Sequence, residues 1–373
     1  MAKTGGPRLR GMLRDIHLWI GLCLFLVLAP LGLSGSLLVW DEPLDRAIHP
    51  ERYRVTAGAL APSAYVVSAQ RAFNGRAIPA QVRMPAGPGE PVIVTGFVPG
   101  RARPGERPPS LTAWIDPGAA RTLDVGDPRG ELRGVVHRLH GALLAPQYGR
   151  TIVGWLGVAM LVSCVSGLVV WWPRNNAFVR ALAWRRSPST LSNLHHAAGF
   201  WICVPLAVLS LTGAWIAFPE ATRALTSAFQ NRPAGPPDDR RREVQAPAAP
   251  LGDPRLSVDQ AVAAAVQASG GGARLVSVTL PTRGGRPAWR VQLRPAAGPA
   301  ATVRVDDATG QARLQPQDGG DPVARFMRRL HEGSDFGPVW RVIVTLAGVA
   351  PTVLGVSGVL LWLDRRRARS RAS

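Results

Sequence analysis

The sequence predicts an integral membrane α-helical protein: four transmembrane helices in a tandem two-helix repeat, with two periplasmic α+β domains. Three observations predict it. Four stretches, about 16–40, 151–172, 197–218 and 342–363, are apolar for roughly 20 residues or more, the length a helix needs to cross about 30 Å of hydrocarbon. The chain also matches itself. Leu13–Trp40 lies over Leu191–Phe218 without a gap at an offset of 178 residues, which brings His17 onto His195, Gly21 onto Gly199 and Ser34-Gly35 onto Thr212-Gly213. At an offset of 191, Arg138-Leu139-His140 falls on Arg329-Leu330-His331, Arg150 on Arg341, Val165-Ser166-Gly167 on Val356-Ser357-Gly358 and Trp171 on Trp362. Finally, the two apolar stretches of each half are separated by long polar insertions with helix- and strand-like patterning.

Residues 1–15 form a basic N-terminus (Lys3, Arg8, Arg10, Arg14) before the first span, 16–40. That span is too long for a signal-peptide core and lacks an A-x-A cleavage site, and its matched copy is internal, so it reads as a retained helix. In lipid the backbone must satisfy its own hydrogen bonds, so all four spans are helices. Gly32, Gly35, Gly154, Gly157, Gly167, Gly355 and Gly358 within them suit close helix packing.

The first insertion, 41–136, predicts a helix over Ser63–Ala72, strands over Ala80–Met84, Val92–Phe97 and Leu111–Asp116, and a turn at Asp116-Pro117-Gly118. Residues 137–172 carry a histidine segment and the second span, 173–194 a short loop, and 195–218 the third span. The second insertion, 219–328, predicts a helix capped by Ser257, strands over Leu275–Leu280, Trp289–Leu293 and Thr302–Val305, and a hairpin turn at Asp306–Gly310. Residues 329–363 hold a second histidine segment and the last span, and 364–373 a basic tail. Pro99–Pro109 and Asn231–Pro254 are Pro/Gly/Arg-rich and read as loops.

The formal net charge of +20 comes from one Lys and 43 Arg against 24 acids, a bias typical of a GC-rich bacterial genome. No basic stretch is interleaved with aromatics, so nucleic acid is not an expected partner. Arg174, Arg180, Arg185 and Arg186 fill the short loop, and Arg365, Arg366, Arg367, Arg369 and Arg371 follow the last span. By the positive-inside rule both termini and this loop are cytoplasmic, in a multi-pass protein of the bacterial inner membrane. Tryptophans near the span ends fit an interfacial belt.

Histidines are the candidate ligands. An ionisable or ligating residue at a membrane helix is a functional hypothesis in itself, and here four recur at matched positions. His17 and His195 begin their spans, whereas His140 and His331 each lie ten residues before a matched arginine. That is the count for two bis-histidine haems, with the four imidazoles as axial ligands. His196 adjoins His195, and His137 shares a helical face with His140; only the internal match favours His195 and His140. Arg138, Arg150, Arg329 and Arg341 suit haem propionates or, equally, interfacial anchoring. Arg325, Arg328 and Arg329 gather positive charge just ahead of His331. His49 has no counterpart. Cys23, Cys164 and Cys203 all lie in spans and none belongs to a C-x-x-C-H motif, which excludes covalent c-type attachment. There is no P-loop, no strand–G-x-G-x-x-G–helix, no G-x-S-x-G and no H-E-x-x-H. Electrons would therefore come from a separate cytoplasmic donor or from quinol.

The L-x-x-[IL]-H-x-x-x-G and R-L-H-x(9)-R patterns, each repeated, resemble the PepSY-associated transmembrane family over about Arg10–Arg366. The resemblance implies PepSY-like insertions and, from some members, an iron-regulated inner-membrane protein that reduces ferric siderophores with two b-type haems. It implies one haem on each side of the membrane, held by His17 and His195 on the cytoplasmic side and by the R-L-H histidines on the periplasmic side. Expected partners are the lipid bilayer, a ferric siderophore or other ferric chelate, and the electron donor. Two other readings stand beside this one: a non-enzymatic PepSY module that binds or restrains a periplasmic peptidase, and a haem or metal permease. The scarcity of carboxylates in the spans argues against cation transport.

Overall fold

The computed structural model describes residues 6–100, 109–173, 188–229, 249–283, 285–296, 298–315, 321–333 and 335–371. Lys3, the loop arginines Arg174, Arg180, Arg185 and Arg186, and most of the two Pro/Gly/Arg-rich stretches lie outside these. In chain order the elements are α1 (Gly6–Leu38), α2 (Asp41–Ile48), a 3₁₀ turn (Pro50–Tyr53), α3 (Pro62–Phe73), β1 (Ile78–Arg83), β2 (Val92–Phe97), β3 (Ser110–Ile115) and β4 (Thr122–Gly126). There follow α4 (Leu132–Ala142), α5 (Gly149–Trp171), α6 (Thr190–Ala217), α7 (Pro219–Phe229) and α8 (Val258–Ala268). The chain ends with β5 (Arg274–Thr279), β6 (Ala288–Arg294), β7 (Ala301–Asp306), β8 (Ala312–Leu314), α9 (Pro322–Glu332) and α10 (Gly337–Ser370). These elements fall into two units, Met1–Asp41, Val135–Ala234 and Asp321–Ser373 in one, Glu42–Gly134 and Gly235–Gly320 in the other.

The first unit is a helical bundle. Four helices, α1, α5, α6 and α10, are long and apolar enough to cross a membrane. α1 starts at Gly6 rather than at residue 16, and α10 runs on to Ser370 rather than 363, because nothing breaks the helix where the apolar residues give way to arginine. Each helix packs on two neighbours in the closed order α1–α5–α6–α10. The α1–α10 crossing is tight: a methyl group on Gly32 would run into the Gly348 carbonyl oxygen, so only hydrogen fits there. Outward side chains stay apolar, Leu26 being 78% and Trp201 70% exposed, as a lipid-facing surface requires.

The second unit joins both insertions. Their strands form one antiparallel eight-stranded sheet in the order β4-β3-β2-β1-β5-β6-β7-β8. The sequence presents them as two α+β domains; the seam lies where β1 pairs with β5, Val82 opposite Val278 and Gln81 opposite Thr279. A shared core explains the union. Tyr65 and Phe73 of α3, Ala261 and Ala265 of α8, and the inward residues Val82, Val94, Val278, Trp289 and Val305 are buried in one cluster. Separate sheets would leave the β1 and β5 edges unpaired. The Ser257 cap is present as a full capping box, with the Gln260 side chain returning to the Ser257 backbone. Strands β4 and β8 extend each hairpin beyond the expected three.

The outer face of the sheet differs between its halves. Over β2–β4 it is covered: Arg52 stacks 3.6 Å above the Trp114 ring. Its guanidinium bonds Asp124 at 2.7 Å, Asp45 at 2.9 Å and Glu131 at 2.6 Å. Arg52 is 1% exposed. Over β6–β8 the outer residues are open to solvent.

Candidate cofactor site: two histidine pairs

The bundle brings the four matched histidines together as two pairs. His17 and His195 have ring centroids 6.4 Å apart, and His140 and His331 have theirs 6.0 Å apart. An imidazole nitrogen lies about 1.1 Å from its ring centroid and binds a metal at about 2 Å, so two imidazoles across one metal place their centroids about 6 Å apart. The observed separations therefore have room for one metal centre each. α1 and α6 supply His17 and His195 directly, whereas His140 and His331 ride on the short helices α4 and α9.

One local motif fixes all four rings. Nδ1 of His17 lies 3.0 Å from the Ser163 carbonyl and 3.5 Å from Ser166 Oγ. Nδ1 of His140 lies 2.9 Å from the Leu31 carbonyl and 3.4 Å from Ser34 Oγ. For His195 the hydroxyl partner is Ser357 Oγ at 2.8 Å, and for His331 it is Thr212 Oγ1 at 3.0 Å, with the Leu354 and Leu209 carbonyls as their backbone partners. Each hydroxyl gives its own proton to a carbonyl one turn earlier: Ser34 to Leu31, Ser166 to Ser163, Thr212 to Val208 and Ser357 to Leu354. A carbonyl, or a hydroxyl already spent as a donor, can only accept, so Nδ1 carries the proton and Nε2 keeps its lone pair. Among the described residues no hydrogen bond reaches Nε2 of these four.

After each hydroxyl residue comes a glycine on which the imidazole rests. A methyl group would sit 2.7 Å from His140 Cε1 at Gly35, 2.8 Å from His17 Cε1 at Gly167, 3.0 Å from His331 Cε1 at Gly213 and 3.5 Å from His195 Cε1 at Gly358. A side chain at the first two would force the ring to move, at the third it would be tight, and at the fourth it would make an ordinary contact. The Ser/Thr-Gly dipeptides are visible in the sequence at matched positions, but their role as the histidines' partners was not, since a hydroxyl inside a helix reveals no neighbour.

The pairs lie toward opposite ends of the bundle. His17 and the Ser34 that meets His140 are seventeen residues apart on α1, and His195 and Thr212 are seventeen apart on α6, about 25 Å of helix rise. Burial pushes the His331 imidazole down to about 4 and lowers that of His140, against the raising effect of its Leu31 bond. Both are thus uncharged at neutral pH, the form that binds a metal.

The remaining candidates are placed as follows. His196 packs edge-on against His195 at 6.1 Å, and His137 is exposed on α4. Arg150 donates to the Ile216 carbonyl at 2.7 Å and Arg341 to that of Val39 at 2.8 Å, so both tie down the end of a neighbouring spanning helix. Arg329 pairs with Asp335, and Arg328 with Glu332 at 3.6 Å. Arg138 is exposed on α4, and Arg325 is on α9. His49 bonds Glu51 at 3.3 Å. It also lies near Asp45, Asp124 and Glu131, but the Arg52 guanidinium already takes the place a cation would fill there.

The family model for the PepSY-associated TM region matches residues 14–367. The chain belongs to this family. The match takes in all four spanning helices, both histidine pairs and the whole sheet, so the PepSY-associated TM family is the frame for each of them. No curated protein matches the chain at a significant level.

Proposed function

We propose that the protein is an inner-membrane haem b protein that carries electrons from the cytoplasmic side to the periplasm and reduces ferric siderophores or other ferric chelates. The observation that carries the reading is the pair of centroid separations, 6.4 and 6.0 Å, between imidazoles whose Nδ1 atoms are already engaged. Haem iron held between two imidazoles takes up and releases single electrons, at a potential set by burial and hydrogen bonding. His17 and His195 would hold one group and His140 and His331 the other, so the chain would bind two haem b.

The chain's own residues supply orientation and insulation. Ser34, Ser166, Thr212 and Ser357 hold each ring in one tautomer and raise its basicity through Nδ1. The glycines let the rings lie against the helices. All four rings are half-buried against the helices of the bundle. In this reading the chain is a tandem repeat with both termini cytoplasmic, His17 and His195 face the donor or quinol, and His140 and His331 face the ferric acceptor. One electron converts Fe(III) to Fe(II), which oxygen-donor chelators hold far less tightly.

The test is the visible spectrum of the detergent-solubilised protein before and after dithionite, with pyridine haemochrome quantitation. A reduced b-type band at two haems per chain is the expected result. Absence of haem after expression with adequate iron and precursor would overturn the reading and leave a PepSY module that binds a periplasmic partner.

A further inference from the structure

The sheet carries a second site that the redox reading does not use. Strand register sets Arg290 of β6 directly opposite Arg304 of β7, and Arg304 opposite Arg313 of β8. Their neighbours Val291, Val303 and Val305 are buried in the core, so alternation points all three arginines to the outer face, where each is exposed. Arg274 and Arg294 form a second opposed pair on the same face. Like charges directly opposite one another destabilise a sheet. No ion pair involves Arg290, Arg304 or Arg313 among the described residues; Arg304 donates to the Arg286 carbonyl at 3.3 Å, which leaves its charge uncompensated.

The other half of the sheet shows what such a position needs. There the register-equivalent row is Ile93, Trp114 and Asp124, and the single guanidinium above it, that of Arg52, is met by three carboxylates. In the second half the proportions are inverted: three guanidiniums with no ion-paired carboxylate among the described residues, the Asp306 carboxylate on the same face of β7 being engaged by the Ala308 and Thr309 amides. Adjacent strands are about 4.8 Å apart, so the row spans about 10 Å. That is the breadth of a compact anion carrying two or three carboxylates. Guanidinium matches carboxylate with paired, charge-assisted hydrogen bonds.

We propose that the Arg290–Arg304–Arg313 row binds a small polycarboxylate anion. The carboxylate class rests on the sheet alone. That the anion carries ferric iron, as a polycarboxylate chelate, rests on the electron-transfer reading above.

The probe is citrate, titrated by calorimetry into the full-length detergent-solubilised protein, with ferric citrate in a parallel run. Wild type binds citrate, and Arg304→Gln weakens binding by about tenfold, with a larger loss in the Arg290→Gln/Arg304→Gln/Arg313→Gln triple variant. Citrate also raises the wild-type unfolding temperature but not that of the triple variant. Because removing a charge relieves repulsion, the variants without ligand unfold at the wild-type temperature or above. That separates lost binding from lost folding. No citrate binding by wild type at millimolar concentration, or equal binding by the triple variant, overturns the proposal. So does loss of binding to phosphatidylglycerol vesicles in the triple variant with citrate affinity unchanged, which would make the row a lipid contact. The calorimetry needs no haem, so a haem-free protein that still binds citrate would retire the electron-transfer reading and leave the anion site standing.

Discussion

The helical bundle and the sheet both draw on the two halves of the chain, and the halves resemble each other to different degrees in the two units. In the bundle, each of the four histidines sets its Nδ1 near the hydroxyl of one Ser/Thr-Gly dipeptide and its Cε1 over the glycine. In the sheet, the strand order mirrors about β1–β5 while the outer face diverges, a caged Arg52 on one side and a bare arginine row on the other. In the proposed reading each pair holds one metal centre between two imidazoles, which ties the histidine, hydroxyl and glycine positions to one geometry. The outer face of a sheet has no such constraint, and each half is free to take its own role.

Four experiments break or sharpen this contrast. The largest effect belongs to the ligands. His331→Ala should halve the haem recovered per chain and abolish ferric-chelate reduction, and His17→Ala should do the same through the other pair; full reduction activity in either variant sinks the proposed route. Next is the clasp. Arg52→Met leaves Asp45, Asp124 and Glu131 facing one another, and breaking a buried ion cluster on one side costs about 3–5 kcal/mol. Thermal unfolding should fall sharply for this variant and stay level for Arg304→Gln; equal behaviour of the two would erase the distinction between the halves.

The glycines come third, and they predict an order. Haem retention should fall most in Gly35→Ala and Gly167→Ala, less in Gly213→Ala and least in Gly358→Ala, following contacts of 2.7, 2.8, 3.0 and 3.5 Å. Pyridine haemochrome assays on all four would expose a wrong order at once. The hydroxyls have the smallest effect. Loss of a metal ligand's hydrogen-bond partner typically weakens the site about 10–100-fold. Ser357→Ala should fall in that range because its hydroxyl lies 2.8 Å from His195 Nδ1, whereas Ser34→Ala should do less because its hydroxyl lies 3.4 Å from His140 Nδ1 and the Leu31 carbonyl at 2.9 Å is the nearer partner. Comparable haem affinities in the two variants would argue against the shared motif.

Much of this could be read before folding. Apolar length marks the four spans, and the matched positions single out His17, His140, His195 and His331 from their neighbours His137 and His196. What stayed hidden is non-local. The β1–β5 seam joins residues almost two hundred positions apart, and nothing local in Ile78–Arg83 announces it. Arg52 meets Asp45, Asp124 and Glu131 from three separate elements, so its cage has no motif. β8 is three residues long, too short for alternation to show. The arginine row needs strand register before Arg290, Arg304 and Arg313 become neighbours; in the sequence they belong only to a general excess of arginine.

The seam also sets a timetable for biogenesis. β1 is made some 190 residues before β5, and two membrane segments must be threaded in the meantime. At about 5–20 residues per second, its free edge stands open for roughly 10 to 40 s on a nascent chain. An open edge is a template for wrong pairing. β1 carries Pro79, where the register with β2 shifts, and Arg83 at its end. Proline cannot donate to an added strand and a charged end discourages one, so β1 is built to wait for its partner.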